Sequence, residues 1–121
     1  MIAIIDYGLG NVQAFANIYK QLDIPVSLAG NADNLLHATH FILPGVGAFD
    51  WAMDRLNESG MRSTLDRLVL KEKKPVLGVC VGMQIMAKNS AEGSASGLGW
   101  FDAEVVRLGE STNPEELPLP H

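Results

Sequence analysis

The amino-acid sequence predicts an α/β fold with a parallel sheet, and three observations carry that prediction. Short, continuous apolar runs (IAII at Ile2–Ile5, FIL at 41–43, VLGV at 76–79) have the composition of strands buried on both faces. Between them lie longer stretches whose apolar residues recur at helical spacing. The joints are turn-forming sequences, DYGLGN and PGVG among them. Strand and helix alternate along the chain, which is the order of a sheet built from crossover connections. Such sheets place ligands at the carboxyl ends of their strands.

The first strand, Ile2–Ile5, stops at the turn residues of DYGLGN. From Asn11 the pattern changes: Val12, Phe15, Ala16, Ile18, Tyr19 and Leu22 recur at helical spacing. Asn11 is placed to cap that helix, because its side-chain oxygen can accept from a first-turn amide that has no carbonyl partner. Pro25 closes the connection and residues 26–28 make a second strand, with a short helical piece expected over 32–38. The third strand, 41–43, runs into PGVG. After Phe49 the residues Met53, Leu56, Met61, Leu65, Leu68 and Val69 follow a broken helical pattern, with Gly60 dividing two helices. Residues 71–74 form a solvated helix end, and Pro75 opens the fourth strand, 76–79. A helix then continues from the cysteine corner through Met83, Gln84, Ile85, Met86 and Ala87. SAEGSASGLGW reads as a turn-rich loop, 101–108 as a further strand, and 109–121 as a poorly packed end. That ending suits the N-terminal portion of a longer domain; a loose tail on a complete small protein is the alternative.

With 121 residues, 47% of them hydrophobic, the chain has enough apolar side chains for one domain core. A formal net charge of −5 leaves no electrostatic footprint for nucleic acid. MIAIIDYG lacks the basic start of a secretory signal, and no run reaches the roughly 20 apolar residues that cross a bilayer. One cysteine excludes an internal disulfide and a multi-thiolate zinc site, and it is compatible with a reducing cytoplasm. No ligand spacing points to a metal.

That cysteine, Cys80, stands in VLGVCVGMQ with Gly78 and Gly82 two residues to either side. A glycine-framed residue between strand and helix has the logic of a nucleophile elbow: the sharp turn needs close backbone approach, and the corner side chain is thrust above the sheet edge. The start of a helix also favours an anionic group. A buried, inert cysteine is the competing reading. A thiolate nucleophile requires N–H donors for the oxyanion that develops. The amide of Val81 is one candidate, and the turn Pro44, Gly45, Val46 and Gly47 is another, since both follow strands that can share one sheet edge. DYGLGN does not have the spacing of a dinucleotide-binding turn, and no phosphate-loop lysine accompanies it. It is read as a tight turn into a capped helix, with a possible contact surface. The base that a cysteine nucleophile needs is not found: His37 and His40 precede the third strand, at the wrong edge, and His121 is the last residue. Asp50, Asp54, Glu58 and Asp66 are expected on solvated helix faces.

MIAIIDYGLGN, FILPGVGAF, PVLGVCVGMQ, SAEG with GLGW, and the closing LPLPH together resemble the class I (triad) glutamine amidotransferases, and within them the amidotransferase subunits of imidazole glycerol phosphate synthase. The resemblance covers essentially the whole chain. It implies the flavodoxin-like α/β fold of that class, three-layered with a mostly parallel sheet and its C-terminal part missing, no cofactor, glutamine as substrate, and a cyclase (β/α)8 barrel as partner in the cytoplasm. By resemblance Cys80 attacks the glutamine side-chain amide, Gly45, Val46, Gly47 and Val81 form the oxyanion region, and Gln84 and Glu92 bind glutamine. Tyr7, Gly8, Gly10 and Asn11 fall at the expected barrel contact. The class's catalytic histidine and glutamate belong to a later portion, so this length alone is expected to be inactive. A non-catalytic barrel-docking remnant, an amidotransferase of a related surface-sugar pathway, and a different α/β cysteine hydrolase are the alternatives.

Overall fold

The computed structural model describes residues 1–91 and 93–101, and the backbone of 104 and 105. The apolar runs are strands, as expected: β1 (Ile2–Ile5), β2 (Val26–Ala29), β3 (His40–Leu43) and β4 (Val76–Gly78). They form one parallel sheet in the order β2–β1–β3–β4. Register aligns Leu28, Ile4, Ile42 and Leu77 in one row across it. Side chains alternate along each strand, so that row and its neighbours two residues away define opposite faces with the rows between.

One face carries Ala3, Ile5, Ala29, Phe41 and Leu43. It is covered by Phe49, Ala52, Met53 and Leu56 of α2 (Phe49–Glu58) and by Leu65 of α3 (Arg62–Asp66), and this is the main core. The other face carries α1 (Val12–Gln21), packed on β1 and β2. The row across that face is buried in the middle and open at its ends: Ile4 and Ile42 are 0% and 3% exposed, Leu28 and Leu77 are 40% and 56%. A groove of about 210 Å³ lies there, lined by Ile2, Tyr19, Ile42 and Leu77 among others. Helices on both faces complete three layers.

Local chemistry explains the element ends. Asn11 caps α1 as expected, its Oδ1 accepting from the Ala14 amide at 3.1 Å. The helical piece expected over 32–38 is a single 3₁₀ turn, Asp33–Leu35, with Asn31 Oδ1 accepting from the Asn34 amide at 3.0 Å. Gly60, at φ +78°, does separate α2 from α3, which runs on into a π-helical turn, Arg67–Lys71. The Lys74 ammonium donates to the Ala38 carbonyl at 2.7 Å and ties the approach to β4 beside the approach to β3.

The helix after Cys80 is shorter than expected: α4 spans Val81–Gln84 and does not continue to Ala87. The carbonyls of Ile85, Met86 and Ala87 accept instead from the amides of Leu98, Trp100 and Gly99, at 2.7, 2.8 and 3.0 Å. GLGW therefore takes up the carbonyls of the segment just past α4, whereas the Val81, Met83 and Gln84 carbonyls accept from the amides of Ile85, Met86 and Ala87. β5 (Asn89–Ser90) and β6 (Glu104–Val105) pair in parallel as a separate ribbon. Of the strand expected over 101–108, this pair is the described part; the end at 109–121 lies outside the described residues. Among the described residues no helix is long and apolar enough to cross a membrane.

Candidate active site

Cys80 occupies the corner between β4 and α4, with φ +55° and ψ −127°. A non-glycine residue rarely adopts that conformation, and the strain persists only where surrounding packing imposes it. The flanking glycines show what imposes it. A Cβ on Gly78 would lie 2.5 Å from Met83 Cα and 2.8 Å from Met83 N, and one on Gly82 would overlap the Leu43 carbonyl. Strand, corner and helix fold back on each other without room for a side chain at either position. The Val79 amide donates to the Leu43 carbonyl at 3.0 Å, so the corner is also hydrogen-bonded to the end of β3. The cysteine side chain itself is exposed.

The PGVG turn lies against this corner. Pro44 and Gly45 are buried while Val46 and Gly47 are exposed, Gly47 at φ +94°. A Cβ on Gly45 would stand 2.7 Å from Val81 Cγ1 and 3.0 Å from the Gly82 nitrogen. The two glycine turns thus meet at the carboxyl edge of the sheet. Among the described residues the amides of Gly45, Val46 and Gly47 donate to no backbone carbonyl, which leaves them as donors for something else. Val81, the residue after the thiol, is buried in the core.

DYGLGN is a third turn at the same edge: a Cβ on Gly10 would come 2.9 Å from Pro44 Cβ. Gly8 and Asn11 are exposed and Gly10 is half-buried. Tyr7, expected on a contact surface, is instead buried at 4% exposure, its hydroxyl donating to the Pro44 carbonyl at 2.6 Å. An aromatic ring following a buried strand reaches the core more readily than the surface. Burial pushes its phenol up to about 12.

Gln84 is half-buried one helical turn beyond the thiol, and its backbone amide donates to the Cys80 carbonyl at 3.4 Å. Glu92 lies outside the described residues. His37 and His40 are exposed; His40 opens β3 at the amino edge, across the sheet from Cys80, with Nδ1 2.9 Å from Thr39 Oγ1. His121 lies outside the described residues.

Three of the four acids expected on solvated faces have partners: Glu58 pairs with Arg55 at 3.4 Å on an exposed face of α2, and the other two reach further segments. Asp50, in the first turn of α2, accepts from the Ser94 amide at 2.9 Å and the Ala95 amide at 2.9 Å, and from the Ser94 hydroxyl at 3.2 Å. These backbone bonds hold its carboxyl below the usual carboxylate range. Asp66 accepts from the Trp100 indole at 2.7 Å and pairs with Arg62 at 3.7 Å. Asp50 follows the PGVG turn by three residues, but its partners lie 44 and 45 residues further along the chain.

The sequence profile described as glutamine amidotransferase class-I matches residues 3–121. The chain belongs to that family. Its curated relatives include the imidazole glycerol phosphate synthase subunit HisH of Bdellovibrio bacteriovorus, 59% identical over 121 residues, which is 100% of this chain and 59% of the relative. The subunit of the same name from Leptospira interrogans is 48% identical over 120 residues, covering 99% of this chain and 59% of the relative. HisH 2 of Pseudomonas aeruginosa is 41% identical over 118 residues, covering 98% and 58%. The chain therefore spans about 59% of the length of such relatives. A solved glutamine amidotransferase matches its fold with a TM-score of 0.73 at 20% identity, over 92% of this chain and 58% of that one.

Proposed function

We propose that this class-I glutamine amidotransferase chain carries the nucleophile, oxyanion turn and part of the substrate pocket of a glutaminase subunit of imidazole glycerol phosphate synthase. The observation that carries the reading is Cys80, exposed at its strained, glycine-framed corner, with the next two residues, Val81 and Gly82, packed against Gly45 of the PGVG turn. The names of the relatives supply the pathway, histidine biosynthesis, and weigh against a surface-sugar branch.

In this reading the Cys80 thiolate adds to the γ-carbonyl carbon of glutamine, forming a C–S bond and moving the carbonyl π pair onto oxygen. The amides of Val81 and of Gly45, Val46 or Gly47 stabilise that oxyanion, a term worth about 3–4 kcal/mol per donor. Collapse of the tetrahedral intermediate breaks the C–N bond and, with a proton, releases ammonia. Water then hydrolyses the γ-glutamyl thioester to glutamate and returns the thiol. Gln84 and Glu92 hold the glutamine head group. The ammonia passes to a cyclase (β/α)8 barrel that docks near Gly8, Gly10 and Asn11. The proton carrier is assigned to the further length found in the relatives, since His37 and His40 are at the opposite edge of the sheet.

The test is alkylation of the full-length protein by a chloromethyl ketone analogue of glutamine. The expected result is one label on Cys80, slowed by glutamine, with hydrolysis lost in Cys80→Ala. Hydrolysis surviving in Cys80→Ala overturns the reading. The 121-residue chain alone is expected to turn over little glutamine, and a rate equal to that of a full-length relative would contradict the assignment of the base. If the chain copurifies with a cyclase barrel but the full-length form lacks glutaminase activity, it is a docking remnant.

A further inference from the structure

Tyr7 contacts the proposed site and has no role in the chemistry just described. We infer that Tyr7 is a positioning residue for the oxyanion turn: its hydroxyl holds the Pro44 carbonyl and so fixes the Pro44–Gly45 peptide against the Cys80 corner. The inference rests on the glutaminase reading.

Three features of the geometry carry it. A peptide unit is planar, so anchoring the Pro44 oxygen also sets the direction of the Gly45 N–H on its far side. The Tyr7 bond, at 2.6 Å, spans 37 residues and is buried. Gly45 is enclosed between Tyr7 and the corner, for a Cβ there would stand 2.5 Å from the Tyr7 oxygen and 2.7 Å from Val81 Cγ1. Beyond that anchor the turn is loosely held. Val46 is 55% exposed, Gly47 is at φ +94° with open space around it, and none of the three amides is spent on a backbone carbonyl among the described residues. An oxyanion donor must be aimed to within a fraction of an ångström, and a misplacement of about 1 Å can cost 100-fold in rate. One hydrogen bond at the root of a loose turn is where such aim is set. With the phenol pushed up to about 12, the donor is intact across the neutral range.

The experiment is steady-state glutamine hydrolysis by the full-length protein with its partner subunit, comparing wild type with Tyr7→Phe. Because the oxyanion forms only after glutamine is bound, kcat is expected to fall about tenfold or more while KM changes less than about twofold. Cys80 alkylation by iodoacetamide, which forms no oxyanion, is expected to keep its rate. Replacing Tyr7 by 3-fluorotyrosine, which retains the hydroxyl, is expected to keep kcat within about twofold of wild type. An active wild type with an equally active Tyr7→Phe overturns the inference and leaves the glutaminase reading standing. A rise in KM at constant kcat also overturns it, as does a Tyr7→Phe variant that is unfolded by circular dichroism, since Tyr7 would then serve the fold alone. Absence of glutamine hydrolysis in the wild type overturns the glutaminase reading and takes this inference with it.

Discussion

At Cys80 the side chain is retained in a backbone conformation that glycine adopts freely, φ +55° with ψ −127°. Cys80→Gly should therefore be more stable than Cys80→Ala, by about 1 kcal/mol or more. Urea unfolding of the two variants measures the difference, and equal midpoints would show that the corner carries no strain. Asp50 supplies a second prediction. Its carboxyl titrates below the ordinary value of 3.8, so its contribution to stability is present above that value and lost as pH falls through the lower, folded one. Asp50→Asn should reduce the acid-side decline in stability and speed amide exchange at Ser94 and Ala95; unchanged exchange would mean that other contacts hold the segment. Tyr7 acts at the alkaline end. A phenol raised from 10.0 to about 12 on folding loses its stabilising contribution as pH rises from 10 to 12, a decline that Tyr7→Phe should lack in alkaline melts. Cys80 was legible because its two glycines are within two residues of it. Asp50 was not, because its partners are backbone amides 44 and 45 residues away, which leave no mark on local composition.

The corner joining β4 to α4 depends on missing side chains, and substitutions there separate two kinds of glycine. Gly82→Ala would put a methyl into the Leu43 carbonyl, a backbone group that cannot rotate aside, so a loss of about 3 kcal/mol or more is expected. Gly60→Ala meets open space and only a positive φ, which costs about 1 kcal/mol. Chemical denaturation of both variants checks the ranking; a Gly82→Ala as mild as Gly60→Ala would mean the corner can relax. Strands, the Asn11 cap and the Gly60 break were legible because each is decided by residues adjacent in sequence. The length of α4 was not, since the carbonyls of Ile85, Met86 and Ala87, which would extend it, are taken by Leu98, Gly99 and Trp100 from a loop more than ten residues on. No periodicity within 83–87 reports that competition.

Across the molecule the two sheet faces are unequally covered. One is closed by α2 and α3, while the other keeps Leu28 and Leu77 open on either side of the α1 layer. The 121-residue chain is expected to self-associate through that face, and Leu77→Lys to reduce the scattered light at equal concentration without lowering the melting temperature. Undiminished scattering would place the contact elsewhere. The parallel sheet and layer order were legible from the alternation of patterns, but this asymmetry was not, because β3 and β4 read equally apolar on both faces. The bond from Trp100 to Asp66 adds a property of another kind. The chain has two tryptophans, and Trp51 stands 54% exposed on α2, within 5.8 Å of Arg55. Trp100 is half-buried, with its indole bound to Asp66 of α3 and its backbone amide bound to the Met86 carbonyl, two residues past α4. Replacing Trp51 by Phe leaves one fluorophore anchored between α3 and the segment after α4, so the protein already contains an optical probe whose emission reports whether that segment stays docked.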